Sequence, residues 1–302
     1  MSAGSCSGRV VVITGAGNGL GRAHALAFAA QGAKVVVNDL GGSRDGAGAS
    51  AAPARAVADE IAAAGGTAVA NTDDISSWAG AERLISQAIE AFGGLDVVVN
   101  NAGILRDRMI VTMTEQDWDA VIGVHLKGTF AVLHHTAAYW RQRAKDGQPN
   151  DARVINTTSP SGLFGNPGQG NYGAAKAGIA SLTIIAAREL ERYGVTVNAI
   201  APTALTRMTE DIEMMRTAAA SGDLSPEAIS PLVVWLGSAE SREVTGRVFG
   251  VWGNAITVLE GWTNGPSVSR GSRWDPAELS GVIPDLVAKA APNADLLGNR
   301  SN

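Results

Sequence analysis

The stretch Val10-Val11-Val12-Ile13-Thr14-Gly15-Ala16-Gly17-Asn18-Gly19-Leu20-Gly21-Arg22 decides how the rest of the chain is read. Val10 to Ile13 are apolar and β-branched, the composition of a buried strand. A glycine-rich turn follows. Leu20 to Gln31 then reads as a helix, with Leu20, Ala23, Ala27 and Phe28 on one face and Gly32 at its C-terminal end. In such a unit the glycines let the backbone approach a phosphate, and the free N–H groups at the helix start point at the anion. The spacing Gly15-x-x-x-Gly19-x-Gly21 differs from the Gly-x-Gly-x-x-Gly dinucleotide fingerprint, so the cluster alone also reads as a tight turn without a ligand.

Outward from this unit, strand and helix patterns alternate. Strands are expected at Ala33 to Asn38, Thr67 to Asn71, Leu95 to Val99, Arg153 to Thr157, Val195 to Ile200 and Arg247 to Val251. Helices are expected between them, including a long one from Thr114 to about Ala144 and another from Tyr172 to Arg192. Gly41 to Ala52 reads as an unusually long loop. Repeated strand–helix alternation implies right-handed crossovers and an α/β, doubly wound, Rossmann-like parallel sheet covered on both faces. The expected division is one domain over residues 1–253 and a C-terminal tail over 254–302. The tail is rich in Gly, Pro, Ser and Trp, and its Trp262 and Trp274 imply packing on the domain or on a neighbouring subunit.

With 302 residues and 45% hydrophobic content, the chain can bury a full core and is not a disordered one. A net charge of −5 argues against nucleic acid or an anionic membrane as partner. No run approaches the ~20 apolar residues of a membrane span, so no membrane association is expected. Cys6 is the only cysteine, which excludes an internal disulfide and a cysteine metal cluster. No secretory signal or terminal Ser-Lys-Leu is seen, so a reducing, cytoplasmic location is expected.

Several residues stand where chemistry would be done. Asp39 ends the second strand, where a carboxylate accepts hydrogen bonds from adenosine ribose hydroxyls and repels a 2′-phosphate. Asp74 and Ile75 follow the third strand, where a carboxylate could hold an adenine amino group. Asp73, Asp74 and Ser76 suit the start of the next helix equally well. Asn101-Ala102-Gly103 ends the fourth strand with residues small enough for a cofactor to pass. Tyr172 and Lys176 lie at i and i+4 on one helix face. An adjacent cation favours phenolate, which would bring a tyrosine closer to neutral pH. Ser159, just past the fifth strand, could donate to a substrate carbonyl oxygen as charge builds there. Histidines His24, His134 and His135 have no visible acidic partner set, so no metal site is expected.

Taken together, Thr14-Gly15-x-x-x-Gly19-x-Gly21, Asn100-Asn101-Ala102-Gly103, Ser159, Tyr172-x-x-x-Lys176 and Pro202 after the sixth strand resemble the short-chain dehydrogenase/reductase family from Gly8 to about Val251. The resemblance implies NAD(P) binding. Tyr172 is then the catalytic acid/base, Ser159 holds the carbonyl, and Lys176 binds the nicotinamide ribose and lowers the tyrosine pKa. The expected cofactor-binding set is Gly15, Asn18, Gly19, Leu20, Gly21, Asp39, Asp74, Ile75, Asn101, Ala102, Gly103, Tyr172, Lys176 and Pro202. Asp39 makes NAD the expected cofactor.

Val37-Asn38-Asp39-Leu40-Gly41-Gly42, Asn101 to Arg108 and Val124-His125-Leu126-Lys127-Gly128 are similar to one branch of that family. It is the branch of the (3R)-hydroxyacyl-CoA dehydrogenase part of peroxisomal multifunctional enzyme type 2. This implies an oxidoreductase acting on the 3-hydroxy group of an acyl-CoA, assembled as a homodimer or homotetramer. A hydroxysteroid or other secondary-alcohol dehydrogenase is the alternative within enzymes, and an NAD-binding regulator the alternative outside them. His125 stands where many members place an asparagine, and it reads either as part of a proton path or as a core histidine. Arg106, Arg108 and Arg207 are candidate cations for CoA phosphates. Residues Thr203 to Ala220, with Met208, Met214 and Met215, read as a lid over an apolar ligand.

Overall fold

Every residue of β1 (Val10–Thr14) is buried, and its side chains alternate between two cores. Val11 and Ile13 face one apolar cluster; Val10 and Val12 face another. A strand covered on both faces must lie in the middle of a layered α/β structure. The computed structural model, which describes residues 4–204 and 224–300, shows that arrangement.

From β1 the chain passes through α1 (Gly19–Ala30), β2 (Lys34–Asn38), α2 (Ala52–Ala63), β3 (Thr67–Asn71), α3 (Trp78–Phe92) and β4 (Val97–Asn100). It continues through α4 (Glu115–Ile122), α5 (Gly128–Lys145), β5 (Ala152–Thr157), α6 (Pro160–Phe164), α7 (Gly170–Leu190) and β6 (Val195–Thr203). The last elements are α8 (Pro226–Gly237), β7 (Val248–Trp252), β8 (Ala255–Leu259) and α9 (Leu279–Lys289). The strands form one sheet in the order β3-β2-β1-β4-β5-β6-β7-β8, parallel throughout except that β8 runs antiparallel to β7. The expected doubly wound sheet is therefore present, and the strand order reverses between β1 and β4. Such a switch point opens a crevice beyond the carboxyl ends of the strands.

One core joins β1, β2 and β4 to α1, α2 and α8 through Phe28, Val57, Ile61, Ile229, Val233 and Leu236. The opposite core joins the sheet to α3, α5 and α7 through Leu84, Ile85, Val132, Trp140 and Leu190. Each fully buried aliphatic or aromatic side chain contributes roughly 1.5–3 kcal/mol, so these two layers fix where the strand ends lie.

Three features differ from the sequence reading. The long helix expected from Thr114 to Ala144 is broken by a π-helical turn, Gly123–Lys127, between α4 and α5. The wider turn accompanies burial of His125, whose ring bonds the backbone of Ile104 beneath β4. The boundary set at residue 253 falls inside a hairpin, and Ala255–Leu259 extends the sheet. The tail also forms α9, which buries none of its residues. Of the expected lid, residues 205–220 lie outside the described residues, and Arg207, Met208, Met214 and Met215 with them. Among the described residues no helix is long and apolar enough to cross a membrane.

Candidate active site

The crevice at the switch point is a cavity of about 730 Å³. Gly15, Asn18, Gly19, Leu20, Asp39, Asp74, Ile75, Asn101, Ala102, Gly103, Ser159, Tyr172, Lys176 and Pro202 all line it. Gly21 does not. A Cβ there would lie 2.1 Å from Gly15 O, so Gly21 lets α1 pack onto the turn rather than facing the cavity.

At one end, Gly15 has φ +63° and would press a Cβ to 2.7 Å from Ala102 Cα, two reasons for glycine at that point. The Asn18 side chain does not cap α1, so the helix start keeps its N–H groups for a ligand. Asp39 braces this turn. Its Oδ2 accepts from Gly17 N at 2.8 Å and its Oδ1 from Gly41 N at 2.7 Å. Each oxygen keeps further acceptor capacity toward the cavity. Asp74 Oδ1 accepts from Ser76 N at 2.8 Å and Ser76 Oγ at 2.7 Å, a turn just ahead of α3, whose cap is Ser77. Asn101 Nδ2 donates to Thr14 O and Gly15 O at 3.0 and 3.1 Å, holding the glycine turn with its side chain. The Thr14 hydroxyl accepts from the N–H groups of Asn101 and Ala102.

At the other end, Ser159 precedes α6, and its Oγ accepts from Ser161 N at 3.2 Å. The same hydroxyl faces the cavity with Tyr172 and lowers the phenol's pKa, though less than burial raises it. Lys176 is buried; its Nζ donates to Thr157 O at 2.6 Å and lies 5.5 Å from the centre of the Tyr172 ring. Burial pulls the lysine down to about 7. The tyrosine does not behave as expected: burial pushes its phenol up to about 12, against the lowering effect of Ser159. The ammonium sits over the ring and is itself desolvated, so in the protein alone it does not offset the burial of the hydroxyl.

His125 is buried and meets Tyr172 edge-on at 5.1 Å. Its Nε2 lies 3.0 Å from Ile104 N and 2.8 Å from Ile104 O, so one of them is bonded in either tautomer. Its Nδ1 is buried with no hydrogen-bond partner. Burial first, and the Lys176 charge second, pull the imidazole down to about 3, so it stays neutral. Gly103 leaves room for it, since a Cβ there would lie 2.4 Å from His125 Cε1.

Two further groups were not read from the sequence. Asn171 is buried; its Nδ2 donates to Arg106 O and Asp117 O, and its Oδ1 accepts from Tyr172 N at 2.7 Å. It ties the start of α7, and so Tyr172, to α4 and to the loop after β4. Only its place before Tyr172 could have signalled this. Arg44, in the loop after β2, also lines the cavity. Of the arginines proposed for phosphates, Arg106 lines the cavity and donates from Nε to Asp45 O at 2.9 Å. Arg108 does not line it; its Nη1 donates to Asp107 O and its N to Gly168 O.

Such a cavity can bind an anion at one end and shuttle a proton at the other. A family model for short chain dehydrogenases matches residues 9–217. The chain belongs to the short-chain dehydrogenase family. Members of this family use NAD(P) and oxidise or reduce at CH–OH groups, so the protein is an oxidoreductase of that kind. The chain is 46% identical over 300 residues to hydroxyacyl-CoA dehydrogenase ChsB1 of Mycobacterium tuberculosis, covering 95% of this chain and 90% of that one. It is 47% identical over 252 residues to peroxisomal multifunctional enzyme type 2 of Mus musculus, covering 83% of this chain but only 32% of that longer protein. A crystal structure of a short chain dehydrogenase from Mycobacterium avium superposes with a TM-score of 0.87 at 57% identity, covering 96% of this chain and 98% of that one. The uncapped start of α1 and the glycine turn against Ala102 fit the pyrophosphate of the family's dinucleotide, with Asp39 beside them for the ribose.

Proposed function

We propose that the protein is an NAD-dependent dehydrogenase interconverting the 3-hydroxy and 3-oxo forms of an acyl-CoA. The observation that carries the proposal is the convergence of Ser159, Tyr172 and Lys176 at one end of a single cavity whose other end holds Asp39. When bound, the oxidised dinucleotide would supply the hydride acceptor and a positive charge that favours the phenolate. As the phenolate, Tyr172 takes the proton from the substrate hydroxyl, and as the phenol it returns that proton in the reverse direction. Ser159 donates to the carbonyl oxygen as charge develops on it. Lys176, pulled down to about 7 by burial and anchored on Thr157 O, stands over the tyrosine ring to hold ribose and to share the proton load. Asn171 and His125 position these groups through backbone contacts.

Asp39 supports NAD over NADP. Two unit charges ~4 Å apart at an effective dielectric of 20 repel by about 4 kcal/mol, an upper figure for a site reached by solvent. At about 1.4 kcal/mol per decade, a preference of about two to three decades in kcat/KM follows.

The acyl-CoA reading is supported by the printed names of the relatives and by Arg106 at the cavity wall. Phe130 and Ile185, exposed along a groove between α5 and α7, support assembly into a homodimer or homotetramer. One buried free cysteine fits a cytoplasmic setting. The test is NADH absorbance with hydroxyacyl-CoAs, 17β-hydroxysteroids and simple secondary alcohols. Highest kcat/KM on a hydroxyacyl-CoA is expected; faster turnover of a hydroxysteroid replaces the substrate, and stoichiometric NAD binding without turnover replaces the enzyme.

A further inference from the structure

Two leucines from the far end of the chain reach the dehydrogenase cavity. Leu296 and Leu297 line it together with Trp252, Ser159 and Tyr172. Nothing in the catalytic chemistry needs them.

The segment that carries them is a self-braced turn. Asp295 Oδ1 accepts from Leu297 N at 2.9 Å and from Asn299 N at 2.8 Å. Asp295 N donates to Asn299 O at 2.8 Å, and Gly298 N to Asp295 O at 2.9 Å. Gly298 has φ +85°, a conformation other residues rarely adopt, and a Cβ there would sit 3.2 Å from Phe164 Cζ. Phe164 closes α6, the helix that Ser159 caps. The turn is therefore seated against the element that carries the reaction's serine.

The seating is specific to the turn. The preceding helix α9 buries none of its residues and does not hold the segment down. Leu297 remains 53% exposed and Leu296 half-buried. A partly exposed leucine pair held rigidly at a cavity mouth gains by covering an apolar ligand, because contact removes both surfaces from water. Rigid placement also limits the ordering entropy that binding must meet.

We propose that the Leu296–Leu297 turn is a specificity element of this enzyme. It forms an apolar wall of the cavity that Trp252 also lines, along which the substrate's chain lies, so this turn sets which chain bulk is accepted. The identity of that chain rests on the hydroxyacyl reading above; the wall itself does not.

The experiment uses the full-length enzyme with saturating NAD and two substrates, 3-hydroxybutyryl-CoA and 3-hydroxydecanoyl-CoA. Wild type is compared with the double variant Leu296→Ala/Leu297→Ala and with Asp295→Ala, which unbraces the turn from outside the cavity. These positions are at the surface end of the chain, and thermal melting checks that the fold is kept. In both variants the ratio of long-chain to short-chain kcat/KM is expected to fall about tenfold, chiefly through KM. An unaltered ratio, or equal losses on both substrates, overturns the proposal. If wild type turns over neither thioester, the hydroxyacyl reading fails separately, and the same variants are read with 2-butanol against 2-decanol. A loss that grows with chain size then supports the wall, and a uniform result overturns it.

Discussion

Tyr172 sets the chemistry at the scale of single residues. Under the proposed mechanism its hydroxyl, in the same cavity as Ser159, is the proton carrier. Tyr172→Phe is expected to keep the fold and dinucleotide binding while kcat falls ~10²–10⁴-fold, checked by NADH production beside circular dichroism and NAD titration. Near-wild-type turnover would remove the tyrosine from its role. Asp39 has two duties, because its carboxylate also holds the N–H groups of Gly17 and Gly41. Asp39→Asn keeps one acceptor and loses the charge, so the kcat/KM ratio of NAD to NADP should fall at least about tenfold, from two to three decades in wild type. An unchanged ratio would show that another group selects the cofactor. Ser159, Tyr172 and Lys176 were legible in the sequence because a serine past a strand and a helical i, i+4 pair are local patterns. Asn171 was not, because it acts by bonding backbone groups far away in sequence, which leaves no spacing to read. Nor was the raised pKa of Tyr172, since burial is a property of the packed site.

Among the elements, the π turn between α4 and α5 has the most direct effect on the site. It carries His125 to the Ile104 backbone and against the Tyr172 ring. An asparagine there can still bond Ile104, whereas a leucine leaves buried backbone groups unpaired, at a cost of about 1–3 kcal/mol. His125→Asn is therefore expected to melt at higher temperature than His125→Leu and to retain more kcat/KM. Equal behaviour of the three proteins would reduce the histidine to a space filler. The β-branched runs made the parallel strands readable, since strands buried on both faces carry that composition. The broken helix was hidden because one wide turn barely disturbs a helical apolar pattern. β8 and α9 were hidden because each is largely exposed and lacks the apolar period that marks a buried element.

Across the whole molecule, acid stability follows from histidines buried without charge. His24 bonds Ser230 Oγ through Nδ1, and burial pulls it down to about 3, as it does His125. Both values lie below the usual 6.5, so between about pH 3 and 6.5 the unfolded chain binds more protons than the folded one. Stability is then complete above that window and is lost as pH falls through it. Each such group steepens the dependence by up to about 1.36 kcal/mol per pH unit. His24→Asn should flatten the slope by about one proton, measured as urea midpoints from pH 4 to 7; an unaltered slope would mean that His24 does not fold neutral. The loop after β2 and the loop after β4 are also clasped, by Leu105 N to Arg44 O at 3.0 Å and by Arg106 Nε to Asp45 O. Under the proposed function the first loop belongs to the adenosine end and the second to the reacting end, and these bonds tie the two ends together. Turnover should consequently follow a compulsory order, dinucleotide on first and off last. In initial-rate studies NADH would then inhibit competitively against NAD and noncompetitively against the alcohol, whereas a random order would give competitive patterns against both.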